Sequence, residues 1–217
     1  MKVLWACMIH DGDRSFLEDY CKNIQRLRTQ PDEVRFFCSG VSNKCQAIIG
    51  RFGFTYQERQ ENSGFNESFN LAYGYALEHT FDWLITMTVR CRPNSNWMCK
   101  LNLENIPEGV GMVTTLTLKD DDKVFNLGHS LAKSHACFDF GQDVNSDKIN
   151  EIEEDWFYCP CSGAAAYRVS ALDPRAAFGE EGQPLNGALF KSYNCDALGY
   201  LVKANGYENL VNNEAVP

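Results

Sequence analysis

Residues 62–93, NSGFNESFNLAYGYALEHTFDWLITMTVRCRP, run from loop to helix to strand to loop without slack. Gly64 permits a tight turn after a polar loop, and Leu71, Tyr75 and the run from Leu77 to His79 then follow helical spacing. Asn66 or Ser68 stands where a side chain caps a helix start. After Asp82 comes the unbroken apolar run 83–89. It is too short for a buried helix and rich in β-branched residues, so it reads as a central strand covered on both faces. Arg90, Cys91, Arg92 and Pro93 follow, placing cationic groups at the carboxyl end of that strand, where an open parallel sheet forms its ligand crevice.

The same alternation extends in both directions. Residues 2–9 read as a first strand that stops sharply at His10, Asp11, Gly12 and Asp13. Phe16, Leu17, Tyr20, Ile24 and Leu27 predict an amphipathic helix to about residue 28, with Ser15 near its cap and Pro31 beyond its end. Residues 33–38 form a second strand ending in Ser39 and Gly40, 44–52 a second helix and 54–58 a third strand. Strand and helix in turn imply right-handed crossovers and a mostly parallel sheet flanked by helices, hence an α/β, Rossmann-like fold. Later come a helix over 97–103, a β-branched strand over 109–118, a long surface loop over 132–150 and a helix ending at Gly206. The stretch 162–168, SGAAAYR, reads either as small residues that admit a ligand to the backbone or as a tightly packed strand. The tail 209–217 carries no pattern.

With 217 residues the chain suits one domain of substantial core. A net charge of -9 argues against non-specific nucleic-acid binding, which needs a surplus of Lys and Arg. No segment approaches the roughly 18 apolar residues of a membrane span. The opening MKVLWACMIH is too brief for a secretory signal and reads as a buried strand. The 10 cysteines are scattered, with no pair at metal-finger spacing, and read as reduced thiols of a cytoplasmic protein. The four histidines are dispersed, and only His10 falls at a strand exit.

In order and spacing the chain resembles the GT-A nucleotide-sugar glycosyltransferases, specifically the family-2-like inverting enzymes. Their N-x-G-F loop is matched by Asn62, Gly64 and Phe65, and their A-x-N-x-G-x-x-x-A helix by Ser68, Asn70, Tyr73 and Ala76. Their R-P followed by Trp is matched by Arg92, Pro93 and Trp97. Phe178 to Glu181 resembles the family's F-D-E loop, and Asp196 retains an acid of the motif that opens its last helix. The chain departs at one motif: Thr88, Val89 and Arg90 stand where the family has its metal-binding D-x-D. Literal acidic pairs at Asp11 and Asp13 and at Asp120 to Asp122 read as turn chemistry and solvated charge.

The resemblance implies one GT-A domain over 1–217, with a nucleotide-binding half (1–100) and an acceptor-side half (101–217). It implies a hexosyl or deoxyhexosyl transferase of glycan biosynthesis, moving sugar from a UDP-, GDP- or dTDP-sugar to a hydroxyl of a glycan, protein or lipid. His10, Ser39, Asn62, Asn70 and Thr88 would seat the nucleotide, Gly163 and Ala164 would lie on the sugar and acceptor side, and Asp196 would be the base. Partial burial would raise its basicity. A divalent Mn or Mg ion would ordinarily neutralise the departing diphosphate. Without a D-x-D to hold one, that task falls to the guanidinium groups of Arg90 and Arg92, which pair bidentately with phosphate. The alternative is a GT-A-like domain without turnover that binds a nucleotide, a glycan or a protein. Neither G-x-G-x-x-G after the first strand nor a P-loop is present, which excludes two other phosphate cradles.

Overall fold

The computed structural model describes residues 1–119, 121–132, 137–151, 158–159, 163–175, 182–187 and 194–216. Its centre is a seven-stranded sheet in the order β11-β5-β10-β4-β1-β2-β3. The strands are β1 (Val3–Ile9), β2 (Glu33–Ser39), β3 (Thr55–Arg59), β4 (Trp83–Met87), β5 (Val110–Thr115), β10 (Ala164–Arg168) and β11 (Glu208–Asn212). Six run one way. Only β10 opposes them, pairing antiparallel with both β4 and β5. The expected α/β architecture with a mostly parallel sheet is therefore present, and β4 occupies its middle, buried at all five positions.

Helices α1 (Arg14–Gln25), α2 (Asn43–Arg51) and α4 (Trp97–Leu101) contribute to one buried core, while α3 (Gly64–Glu78) and α5 (Asn194–Ala204) contribute to the other. The first core is organised by Trp5, whose ring lies 5.1 Å from that of Trp97. Trp5 Nε1 donates to Tyr20 Oη at 2.9 Å, and Tyr20 Oη donates to the Met87 carbonyl at 3.0 Å. A buried indole N–H and phenol are thus both satisfied, and α1 is pinned to the last residue of β4. Among the described residues no helix is long and apolar enough to cross a membrane.

Several boundaries differ from the pattern-based expectation. Helix α3 begins at Gly64, where φ is +83°, with Ser63 at the cap position and no side-chain cap. Asn66 and Ser68 lie inside its first turns, where Ser68 Oγ donates to the Gly64 carbonyl and Asn66 Nδ2 to the Asn186 carbonyl. The strand in the run 83–89 ends at Met87: Thr88 still bonds the Gly163 carbonyl, and the chain then turns, the Cys91 N–H donating to the Thr88 carbonyl. Residues 164–168, AAAYR, form a packed strand, and the tail without a pattern supplies most of β11, which pairs with β5.

Within the stretch 132–150, expected to be a long surface loop, the described residues include β9 (Cys137–Asp139), which pairs with β8 (His129–Leu131) just ahead of the stretch, and a 3-10 turn that starts at Ser146. Between β5 and β8, β6 (Thr117–Leu118) pairs with β7 (Val124–Asn126). These strands are two or three residues long, too short for periodicity to show. The F-D-E-like loop at Phe178 to Glu181 and the acid Asp120 fall outside the described residues. The nine described cysteines are all free thiols.

Candidate active-site edge and a buried His–Cys–Asp cluster

Parallel strands end together, so the exits of β1, β2, β3 and β4 share one edge of the sheet. Because β10 runs the other way, its first residue, Ala164, pairs with Met87 and brings Gly163 to that same edge. Helix α5 precedes β11, which parallels β5, so α5 runs back along the sheet. Its eleven residues cover about 16 Å, and its first turn, with Asp196, points toward the same edge. The topology thus brings His10, Ser39, Asn62, Thr88, Arg90, Arg92, Gly163, Ala164 and Asp196 to one side of the sheet.

Their individual settings differ. His10 is exposed, and its Nδ1 lies 2.9 Å from Asp13 Oδ2. Asp11 Oδ1 accepts the Ser42 N–H at 3.1 Å, tying the β1 exit to the start of α2, and the Ser42 side chain first, together with that N–H, holds the Asp11 carboxyl below the usual range. Both acids of that literal D-x-D therefore order the loop. Ser39 is buried, accepts the Ser63 N–H at 3.0 Å and donates to the Glu61 carbonyl at 3.2 Å. Asn62 Oδ1 accepts the Gly64 N–H at 3.1 Å. Gly40, at φ +60°, has no Cβ to collide with the Asn62 backbone nitrogen, which would lie 2.9 Å from one. Asn70 is buried and clamps Leu185, donating to its carbonyl at 2.7 Å and accepting its N–H at 3.1 Å. Ser39 and Asn70, expected to touch a nucleotide, hydrogen-bond the backbone of Glu61, Ser63 and Leu185 in this structure.

At the β4 exit Val89 enters the core while Thr88, Arg90 and Arg92 are exposed. The Arg90 guanidinium lies 5.3 Å from the ring centre of Phe16 on α1, beside the β1 exit, and among the described residues neither arginine has a carboxylate partner. A hydroxyl, a buried isopropyl and a cation do not fit a Mn or Mg ion, which takes oxygen ligands rich in carboxylate.

On the β5 side a second group of residues gathers around Asp196. The backbone of His129 pairs with Asp139 on one flank and with Cys159 on the other. Directly opposed residues share a face, so the three side chains stand in a row. His129 Nδ1 lies 2.9 Å from Asp196 Oδ1, Cys159 Sγ donates to the same oxygen at 3.7 Å, and His129 Nε2 lies 3.6 Å from Asp139 Oδ1. The hydrogen bond from His129 holds the Asp196 carboxyl below its ordinary value, and Asp196 raises His129 in return. Burial pushes the Cys159 thiol far up. Burial also lifts Cys137 to about 11, with Asp196 adding to the rise. The raised basicity expected of Asp196 is thus reversed, because an imidazole rather than an apolar wall faces it.

Nothing in the sequence linked His129 or Cys159 to Asp196. They lie 67 and 37 residues from Asp196, and no local spacing connects them.

No protein-family profile matches the sequence, and no curated protein matches it. Solved structures do match. A mannosyltransferase from Pyrobaculum calidifontis, in complex with GDP-Man and Mn2+, superimposes with a TM-score of 0.69 at 12% identity, over 99% of this chain and 55% of its own. TarS of S. aureus matches with a TM-score of 0.65 at 10% identity, over 99% of this chain and 59% of its own. Glucosyl-3-phosphoglycerate synthase from Mycobacterium tuberculosis, in complex with phosphoglyceric acid, matches at 0.58 and 9%, over 98% and 70%. The fold is the GT-A type of these nucleotide-sugar glycosyltransferases. The chain spans little more than half the length of the mannosyltransferase.

Proposed function

We propose that this chain is a nucleotide-sugar glycosyltransferase that holds the donor diphosphate with arginine. The observation that carries this reading is the exposed pair Arg90 and Arg92, without a carboxylate partner among the described residues, at the exit of the central strand, on the edge toward which Asp196 points. Residues 1–100 would form the nucleotide half and 101–217 the acceptor half. From β2 to β5 there are four strand spacings, roughly 19 Å. A ligand reaching from the Ser39 loop toward Asp196 must lie extended along the edge, as a UDP-, GDP- or dTDP-sugar can.

Transfer with inversion requires a base at the acceptor hydroxyl and positive charge at the departing diphosphate. Asp196 is ionised at neutral pH, favoured by the amino-terminal end of α5 and by His129. It accepts the hydroxyl proton as the sugar carbon–oxygen bond forms, and the paired imidazole shares that proton. The two guanidinium groups receive the negative charge that develops as the bond to the diphosphate breaks. Gly163, whose carbonyl accepts the Thr88 N–H at 2.8 Å, and Ala164 form the floor beside the sugar. The acceptor is a hydroxyl of a glycan, protein or lipid.

The test is a transfer and hydrolysis assay over a panel of UDP-, GDP- and dTDP-sugars, run on the wild type and on Asp196→Asn. Turnover with one donor class, reduced about 10²- to 10⁴-fold in the variant, supports the reading. Nucleotide binding with no turnover on any donor would leave a binding module instead.

A further inference from the structure

A GT-A enzyme would be expected to carry a divalent cation at the β4 exit, where these residues do not fit one. The donors that do fit a metal lie elsewhere, and they are of a different chemical kind. His129 Nδ1, Cys159 Sγ and Asp196 Oδ1 all lie within 4.8 Å of one another, largely buried. Tetrahedral zinc with nitrogen, oxygen and sulfur ligands separates its donors by roughly 3.3–3.7 Å, given bonds of about 2.0–2.3 Å. The two distances to Asp196, 2.9 Å and 3.7 Å, lie on either side of that separation, and His129 and Cys159 lie within 4.8 Å of each other, so side-chain rotation must draw that pair together. An imidazole, a thiol and one carboxylate suit zinc, whereas Mg and Mn prefer sets made only of oxygen.

The surroundings are those of a built site. His129 directs its second ring nitrogen at the Asp139 carboxylate, the arrangement that fixes the tautomer of a metal-bound histidine. Asp139 is itself held by the Asn126 side-chain amide. Gly199 lies nearly one helical turn beyond Asp196, and a Cβ there would come within 2.4 Å of the Cys159 Cβ. Only glycine lets Cys159 reach the first turn of α5. Cys137, two residues from Asp139 and so on the same face of β9, borders the cluster and offers a further thiol.

The arrangement is not that of a Cys–His nucleophile. The Cys159 thiol faces Asp196, and the imidazole nitrogen that would have to activate it faces Asp139 instead. The buried thiol stays protonated until a cation replaces its proton.

We propose that His129, Cys159 and Asp196 form a zinc site distinct from the arginine-lined exit of β4. Binding displaces the Cys159 proton and the proton shared by His129 and Asp196, so affinity rises with pH. Zinc also takes up the carboxylate assigned to the acceptor proton, and therefore occupancy opposes transfer.

The full chain, stripped with EDTA and kept reduced, is titrated with Zn2+ and with Co2+. One equivalent of zinc is expected to bind, and cobalt should show a thiolate-to-metal charge-transfer band with the intense visible bands of a tetrahedral ion. Cys159→Ser and His129→Ala should abolish both, Asp139→Asn should weaken binding about 10- to 100-fold, and Cys99→Ser, remote and exposed, should change nothing. Circular dichroism melts show which variants fold. If they do not, the wild-type cobalt spectrum alone decides. A spectrum without a thiolate band, or zinc held as tightly by folded Cys159→Ser as by wild type, overturns the site. No nucleotide is present, so this result and that of the transferase assay fail independently.

Discussion

His129 Nδ1 lies 2.9 Å from Asp196 Oδ1 across 67 residues of chain, joining the ribbon that follows β5 to the first turn of the last helix. The contact holds β8 against α5 and shifts the charge balance of both groups. Asp139, Cys137, Cys159 and Cys195 also face it, and none supplies a competing cation.

The pair makes stability depend on pH. His129 is raised in the folded state, so its contribution is complete below its unfolded value near 6.5 and fades as pH rises through the folded value. Asp196 is lowered, so its contribution is complete above about 3.8 and fades as pH falls through its folded value. His129→Gln should therefore lower the melting temperature most between about pH 4 and 6.5. Melts at pH 5.5 and 9 in EDTA would show this, and an equal deficit at both would refute it.

Tyr20 satisfies the buried Trp5 N–H and the Met87 carbonyl at once. Tyr20→Phe keeps the ring but leaves both groups unpaired, which should cost about 1–3 kcal/mol. Urea unfolding with an unchanged m-value would confirm it, and a loss below about 0.5 kcal/mol would contradict it.

Gly199→Ala sets two effects against each other. Alanine favours a helix by about 1 kcal/mol, but here its Cβ would meet the Cys159 Cβ at 2.4 Å. Overpacking of that kind costs about 1–3 kcal/mol. Net destabilisation is expected, together with loss of zinc, because Cys159 must retreat from Asp196. A more stable variant that binds zinc normally would be the contrary result.

The arginines are expected to act separately on the donor. Arg90→Ala and Arg92→Ala should each weaken UDP, GDP or dTDP binding by about 1.5–3 kcal/mol, the range of a charge-assisted hydrogen bond. Arg90→Lys should fall between, since an ammonium keeps charge without the bidentate fork. Unchanged affinity in both alanine variants would remove the arginines from the site.

The sequence disclosed the sheet far better than the cluster, for a physical reason. Strands β1, β2 and β4 are covered on both faces or nearly so, which leaves unbroken apolar runs, and α1 shows its buried face through Leu17, Tyr20 and Ile24. Strand β11 escaped notice because Glu208–Asn212 is only half-buried and mixes Glu and Asn with Leu and Val. The caps assigned to Asn66 and Ser68 failed because Gly64, at positive φ, starts α3 earlier than the apolar spacing suggests. Asp196 could be picked out by resemblance, whereas His129 and Cys159 join it only through strand pairing between distant segments.

The central claim is that a donor diphosphate is met by guanidinium charge at the β4 exit rather than by a carboxylate-held cation. Calorimetric titration of the full chain with UDP, GDP and dTDP, in EDTA and again with Mn2+, tests it most directly. One nucleotide should bind with the same affinity under both conditions; binding that requires Mn2+, or none with any of the three, would contradict it.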